Sequence, residues 1–495
     1  MKKKYIKLNL IALLIWFLPS CSESFLDVDN PNNLAVNTYY HTQTELATGV
    51  TAAYSTLRNV FSDMYWFTEV PTDNSYSPND GQYENQAEQW IIPATHSYVA
   101  SRWTNLYRSI AFSNLVVEEA PKVPMDPELI NRYVAEAKFI RALDYFYLVR
   151  LWGDVPFITQ TLTDPDDANA YLRESKDRIY TELIIPDLIS ISEVLPSVYA
   201  AVNKGRATSV AALMMLGEVY MTRGDYSAAE PVLKQALDAA DANGYGMLSG
   251  ADGYTKIFDP GNANNDEIIF EVQYTSGQST RSGSKWNNWF APKGSGLPDT
   301  IVKTGEGYGY NQVHSDLYNA FEPGDRRKAS SIASFTVGST EFYFTKKYLD
   351  PNLAKQYDAN NDWIVYRYAD LLLLYAECLN ENGQTSTAID YVNMIRTHPR
   401  TGLDALSTGL DQAAARDAIA KERRIELNME GHRWFDLLRT GKTEEVMNAY
   451  FMLTPRPHST ELDNSPFTFT GRPLLFPIPD AEIKLNPALT QNTGY

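Results

Sequence analysis

From about Thr44 to Gly244, and again from about Trp363 to Gly441, apolar side chains recur three and four positions apart, the spacing of one helix face. The run from Pro127 to Leu151 shows it most plainly. Ile130, Val134, Ala137, Ile140, Leu143 and Tyr147 share a side, Pro127 opens the run and Gly153 follows it, which is ordinary punctuation for the two ends of a helix. Between 245 and 362 the period disappears. Gly, Asn, Ser and aromatic residues dominate there, and the one strand-like run is EIIFEVQY, Glu267 to Tyr274. The closing stretch, 442–495, is also irregular and rich in Pro. Long irregular segments on a rigid helical body are usually where function sits.

Two helical stretches repeat one another. TSVAALMMLGEVYMTRGDYSAAEPVLKQAL and YADLLLLYAECLNENGQTSTAIDYVNMIR align at a constant offset, matching Gly217 with Ala376, Gly224 with Gly383, Ala229 with Ala388 and Leu233 with Val392. Small residues let two helices approach, and the Gly ends the first helix of each pair. This is a tetratricopeptide pattern, interrupted here because the two pairs are not in tandem. The expected fold is mainly α: about four tetratricopeptide-like helix pairs, a large loop-rich half and a few short strands.

The first twenty residues stand apart from the rest. MKKKYIK is a positive n-region and Leu8 to Leu18 an apolar run of eleven residues, too short to span a bilayer, which takes about 20. Residues 1–20 therefore read as a secretory lipoprotein signal, ending at Leu18-Pro19-Ser20-Cys21, a lipobox-like stretch in which Cys21 is the lipidation site. Residues 21–43 read as a tether and 44–495 as a single domain, with the helical scaffold at 44–244 and 363–441 and ligand-side insertions at 245–362 and 442–495. Cys378 is the only other cysteine, so a disulfide framework is excluded, and its place on a probable helix makes it a small buried hydrophobe.

The formal charge of −18 at pH 7 opposes phosphate backbones and argues against nucleic acid. Catalytic motifs are equally scarce. The stretch Glu422 to Gly441, ERRIELNMEGHRWFDLLRTG, packs four Arg and four acids around one His. Glu422, Glu426 and Glu430 stand at i, i+4 spacing, which builds ion-pair ladders, and no nucleophile or metal set is legible beside them. It reads as scaffold. The six His are scattered without ligand spacing. Asp358 to Asp362 begins like a calcium loop but has Trp363 at position 6 and Ala369 at position 12, where Gly and Glu belong. Gly305 to Gly309 is Gly-rich without a following dinucleotide-type helix. No cofactor or metal is expected.

The loops offer a better signal. Ser62 to Trp90 and Arg281 to Gln312 mix aromatic rings with planar polar side chains. Rings suit the flat C–H faces of sugars, and amides, carboxylates and guanidiniums suit their hydroxyl rims. The stacking candidates are Trp66, Tyr76, Tyr83, Trp90, Trp286, Trp289, Tyr308 and Tyr310. The hydrogen-bonding candidates are Asp73, Asn74, Asn79, Arg281 and Asn288. Trp103, Trp152, Trp363 and Trp434, in helical or scaffold segments, are expected in the core.

The lipobox, EAKFIRALDYFYLVRLWGDVP (Glu136 to Pro156), RATSVAALMMLGEVYMTRGDY (Arg206 to Tyr226), DEIIFEVQY (Asp266 to Tyr274), the Glu422 stretch and PIPDAEIKLNPALTQN (Pro477 to Asn492) together resemble the SusD/RagB family. That resemblance implies a lipoprotein of the Gram-negative cell outer membrane, exposed at the surface, that sits over a SusC-like TonB-dependent transporter and captures oligo- or polysaccharide for import. It implies a binding protein and not an enzyme, with its ligand platform in the loop after the first helix and in the irregular insertion. Asp73 corresponds to an acidic position common in that loop. The acidic surface favours a neutral glycan. Peptide uptake, known among relatives of the family, and a surface glycoside hydrolase are the alternative readings.

Overall fold

The computed structural model describes residues 40–76, 86–162, 164–279, 282–294, 296–337, 340–453 and 468–495. The signal segment, Cys21, most of the tether, Asn79, Tyr83 and Arg281 lie outside the described residues.

Helices carry the body. Helix α1 (Gln43–Phe61) starts at a capping box in which Thr42 and Glu45 satisfy each other's backbone N–H groups. Helix α2 (Ser97–Glu119) packs between α1 and α3 (Pro127–Trp152). Asp126 caps α3, Pro127 occupies its first turn, and Gly153 ends it at φ +73°, so both sequence punctuation marks act as expected.

The repeat is a spatial repeat. Helices α4 (Ser209–Thr222) and α5 (Tyr226–Ala242) form one antiparallel pair, and α7 (Tyr368–Glu381) with α8 (Thr385–Arg396) forms the other. Here α6 denotes a short helix of the intervening segment, Trp286–Phe290. Gly224 and Gly383 turn the chain between partners at φ +77° and +82°, a left-handed conformation that costs glycine little. A Cβ at Gly217 would lie 2.3 Å from Leu233 Cδ2, so the small residue sets how closely α4 and α5 approach. Helix α5 packs directly on α7, which stacks the two pairs although more than a hundred residues separate them. Helix α9 (Gln412–Glu426) then packs on α7, followed by α10 (Arg433–Arg439) and α11 (Thr443–Leu453).

The intervening segment is tied to the helices by strands. The strand-like run at Glu267 is β2 (Ile268–Val272), paired antiparallel with β6 (Trp363–Arg367), and all ten residues are buried. Strand β6 leads directly into α7, so the second helix pair begins where the insertion ends. A four-stranded antiparallel sheet lies to one side in the order β1 (Ser75–Tyr76), β3 (Gln312–Val313), β5 (Thr340–Thr345), β4 (Ile332–Val337). It joins the loop after α1 to the insertion. The largest cluster of buried apolar side chains runs from Ala53 to Ile478 and includes Trp103, Trp152, Trp363, Trp434 and Cys378, all expected inside.

Candidate functional site

In the stretch from Glu422 to Gly441, the three glutamates Glu422, Glu426 and Glu430 are buried and enclosed by basic side chains. Arg367 bonds Glu430 through Nε at 2.7 Å, Glu426 through Nη1 at 2.7 Å and Glu267 at 3.0 Å. Arg327 adds Glu422 at 2.5 Å and Glu426 at 2.8 Å, and Arg400 joins Glu426 at 2.6 Å and also Glu267. Burial pushes the Glu426 carboxyl toward neutrality, but the Arg400, Arg367 and Arg327 guanidiniums outweigh it and hold the group far below the usual carboxylate range. Charges paired this completely bind one another. The glutamate ladder Glu422, Glu426 and Glu430 is scaffold, as its spacing suggests, whereas Arg424 and Arg433 of the same stretch line a recess.

Three of the proposed stacking residues are core. Trp66 lies on a four-residue helix, Tyr65–Thr68, buried at every position, with His96 and Phe67 rings 4.5 and 4.8 Å away. Trp90 packs on Trp434 at 4.4 Å and donates its Nε1–H to the Pro71 carbonyl. Trp286 packs on Tyr274 and Trp363 at 4.8 and 5.1 Å and donates to the Ser62 carbonyl. Their ring faces are covered, so the expectation that they stack on a ligand is corrected: these indoles fasten the loops to the body.

The polar candidates divide similarly. Asn288 is fully buried; its Nδ2 donates to the carbonyls of Thr304 and Glu306 at 2.9 and 3.0 Å, and its Oδ1 accepts from Tyr357 N at 3.2 Å. It clamps loops instead of meeting a ligand. Asp73 is gripped by Arg433 through Nε and Nη2 at 2.7 and 2.9 Å, and by Arg424 at 3.0 Å. Asn74 is buried and accepts from Arg424 Nε at 2.8 Å. Tyr76, on β1, is half-buried, edge-on to His314 at 6.1 Å.

What remains open is a continuous row of rings. Trp289, at the outer side of α6, lies 6.0 Å from Tyr310; Tyr310 lies 5.4 Å from Tyr308, and Tyr308 lies 5.7 Å from Tyr357. All four are only half-buried. Their backbone is fixed: Tyr308 N donates to Asn288 O at 3.0 Å, Gly309 N to Ala291 O at 2.9 Å and Tyr310 N to Trp289 O at 2.8 Å. Gln356 Nε2 donates to the Tyr308 hydroxyl at 3.1 Å, and Lys285 Nζ stands 5.0 Å from the Trp289 ring centre. Thus a rigid strip of aromatic faces is edged by an amide, hydroxyls and an ammonium. Tyr357 stands outside the two aromatic loops, in the polar run just before Asp358, so loop composition does not single it out. Its signal was its company, Gln356-Tyr357-Asp358, an aromatic among planar polar groups.

A larger groove, about 790 Å³, opens on the helical side. Its charges are spent on one another, Lys138 and Arg141 on Asp187 at 2.9 and 2.7 Å and Arg178 on Glu174 and Glu182 at 2.9 and 3.0 Å. Among the described residues no group of three or more His, Cys, Asp or Glu could hold a metal ion, and no helix is long and apolar enough to cross a membrane.

Interrupted helix pairs and a strand-tied insertion make up the fold of the solved SusD-like proteins, and the chain belongs to the SusD/RagB family. The SusD family model matches residues 326–495, and a model described as "Starch-binding associating with outer membrane" matches residues 24–221. SusD-like protein P25 of Formosa agariphila is 27% identical over 99% of this chain and 100% of its own length. A solved laminarin-binding SusD-like protein is 28% identical, covers 92% of this chain and 100% of that one, and superposes with a TM-score of 0.76. A SusD homologue from Bacteroides thetaiotaomicron, 23% identical over 93% of this chain and 98% of its own, shares the fold with a TM-score of 0.78.

Proposed function

We propose that this chain is a cell-surface binding protein that captures a neutral oligo- or polysaccharide on the strip formed by Trp289, Tyr310, Tyr308 and Tyr357 and delivers it, without covalent chemistry, to a SusC-like TonB-dependent transporter. Cys21 carries the lipid that holds the body at the outer membrane. The observation that carries this reading is the continuity of the four half-open rings, each fixed by its own backbone and ringed by polar groups. A sugar chain offers alternating apolar faces and hydroxyl rims to such a strip, and little ordering entropy is lost by a surface already rigid. The laminarin-binding relative and the starch-binding family description both point to neutral glucans.

The test is calorimetry of residues 22–495 against laminarin, starch, an acidic plant polysaccharide and a peptide mixture. Saturable heat with a neutral glucan and no product formed supports capture. Heat with peptides alone moves the protein to peptide uptake, and release of shorter sugars makes it a hydrolase; either outcome overturns the reading.

A further inference from the structure

Beyond β3, the chain that carries the ring strip enters a second concavity. It measures about 310 Å³, at the small end of the roughly 300–1,000 Å³ usual for ligand sites. Asp73, Arg424 and Arg433 form one wall, Ala449 and Tyr450 of α11 another, and His314 closes the space between them. The polar wall is set before any ligand arrives. Arg433 holds Asp73 in a fork, and Arg424 spreads over Asn74, Asp73 and Asp316 at 2.8, 3.0 and 2.8 Å. Among the described residues, Arg433 Nη1 has no partner.

Burial works against the Asp73 carboxylate, but Arg433 and Arg424 hold it down to about 2, so it stays an acceptor at neutral pH. His314 is lowered by burial and stays neutral. Its Nδ1 accepts from Asp316 N at 3.2 Å, which puts the ring proton on Nε2. The Tyr450 ring stands edge-on to His314 at 4.8 Å. A fixed carboxylate–guanidinium fork beside aromatic edges matches the rim of a sugar ring, with donors and acceptors both offered. Three carboxylates, Asp73, Asp316 and Glu445, face two guanidiniums here, and Lys442 pairs with Glu445 at 2.6 Å, so the charges of the recess balance.

We infer that this recess is a second subsite, which takes one hydroxyl-rich residue of a neutral glycan whose neighbouring residues lie on the ring strip. The inference rests on the glycan reading above. Only three residues of chain lie between Tyr310 and His314, four steps that span at most ~14 Å, so one oligosaccharide can reach both. The formal charge of −18 over the chain opposes uronate and sulfate groups.

Ala449 is exposed on α11 at the recess, so Ala449→Trp fills the space while leaving every ion pair intact. Glu445→Trp repeats the block one turn earlier on the same helix. Affinities are measured by calorimetry on residues 22–495 for a laminari-oligosaccharide ladder and a matching oligogalacturonate ladder, with melting temperatures to confirm folding. In the wild type, affinity for the neutral ladder rises with length. Both Trp variants keep the short-chain affinity and lose the gain on lengthening by at least about fivefold, whereas Trp289→Ala weakens every length. The oligogalacturonates bind at least about tenfold more weakly than neutral chains of equal length. If the Trp variants follow the wild type at every length while Trp289→Ala weakens binding, the recess is overturned and the ring strip survives. If uronates bind as tightly as the neutral chains, the neutral assignment is overturned. A wild type that binds no member of either ladder overturns recess and strip together.

Discussion

Two regions of this molecule are built from the side chains usually sought in a functional site, and they behave oppositely. Around Glu426, five basic side chains and four acids are interlocked away from solvent. Around Trp289, four rings and a few polar groups are only half-covered. The first is richer in charged groups, but each charge is spent on its partner. The second is chemically plain and open. Exposure and unspent valence, more than residue type, separate a site from a scaffold.

The largest expected effect belongs to the saturated region. Arg367→Met leaves Glu426, Glu430 and Glu267 short of a guanidinium in the interior. Removing one partner of a buried pair costs about 3–5 kcal/mol, so the urea midpoint should fall steeply. Unchanged stability would mean that the cluster is far wetter than its burial indicates.

Trp286 and Trp289 sharpen the contrast, since they are three residues apart on the same short helix. Trp286→Ala empties a core position and should cost about 3–5 kcal/mol of stability, with glycan affinity kept in whatever fraction folds. Trp289→Ala should do the reverse: near-wild-type melting and a binding loss of about 2 kcal/mol, roughly 30-fold. Calorimetry and thermal melts on both variants decide it; a shared phenotype would erase the distinction between fastening and binding indoles.

That pair also marks the limit of what the sequence makes legible. Helical period, Gly turns and the small–small repeat identify the body, because each is a local rule that the packing obeys: Gly217 against Leu233 and the two left-handed Gly turns stand where the alignment put them. Which loop aromatics face inward is not local. Trp66, Trp90 and Trp286 are buried by Phe476, Trp434 and Trp363, residues brought over from as many as four hundred positions away. Trp289, Tyr308 and Tyr310, stacking candidates from their loop composition, are half-buried neighbours in the structure, whereas Tyr357 joins them through a long-range pairing with Asn288.

Acidity probes the seam between the two regions. Burial pushes the Glu69 carboxyl up to about 8, against the help of the Gly431 N–H at 2.7 Å and the Asn74 amide. The native state therefore keeps a proton that the unfolded chain, with its pKa near 4.5, has given up. This contribution is fully present below pH 4.5 and is lost as pH rises through 8, at up to about 1.4 kcal/mol per unit. Asp362, raised by burial to about 7, acts in the same direction. Glu69→Gln keeps the neutral form at all pH values, so its stability relative to wild type should climb between pH 5 and 8 in urea titrations. A constant difference across that range would show that Glu69 is ionised in the native state.

The smallest effect is expected from an aromatic stack that has the look of the strip without its openness. Tyr343 of β5 lies against Tyr318 at 4.2 Å and an interplanar angle of 22°, and Lys328 Nζ stands 3.7 Å from the Tyr318 ring centre. Both rings are half-buried, as those of the strip are, but they spend their faces on each other and on the ammonium. A sugar would have to displace a stacked ring worth about 0.5–1.5 kcal/mol and a cation–π contact worth about 0.5–1 kcal/mol before gaining anything. Tyr343→Ala should therefore shift glycan affinity by less than about twofold while lowering stability modestly. A binding loss comparable to that of Trp289→Ala would move the platform toward the β4–β5 hairpin, and half-exposure alone would then have been the better guide than unspent ring faces.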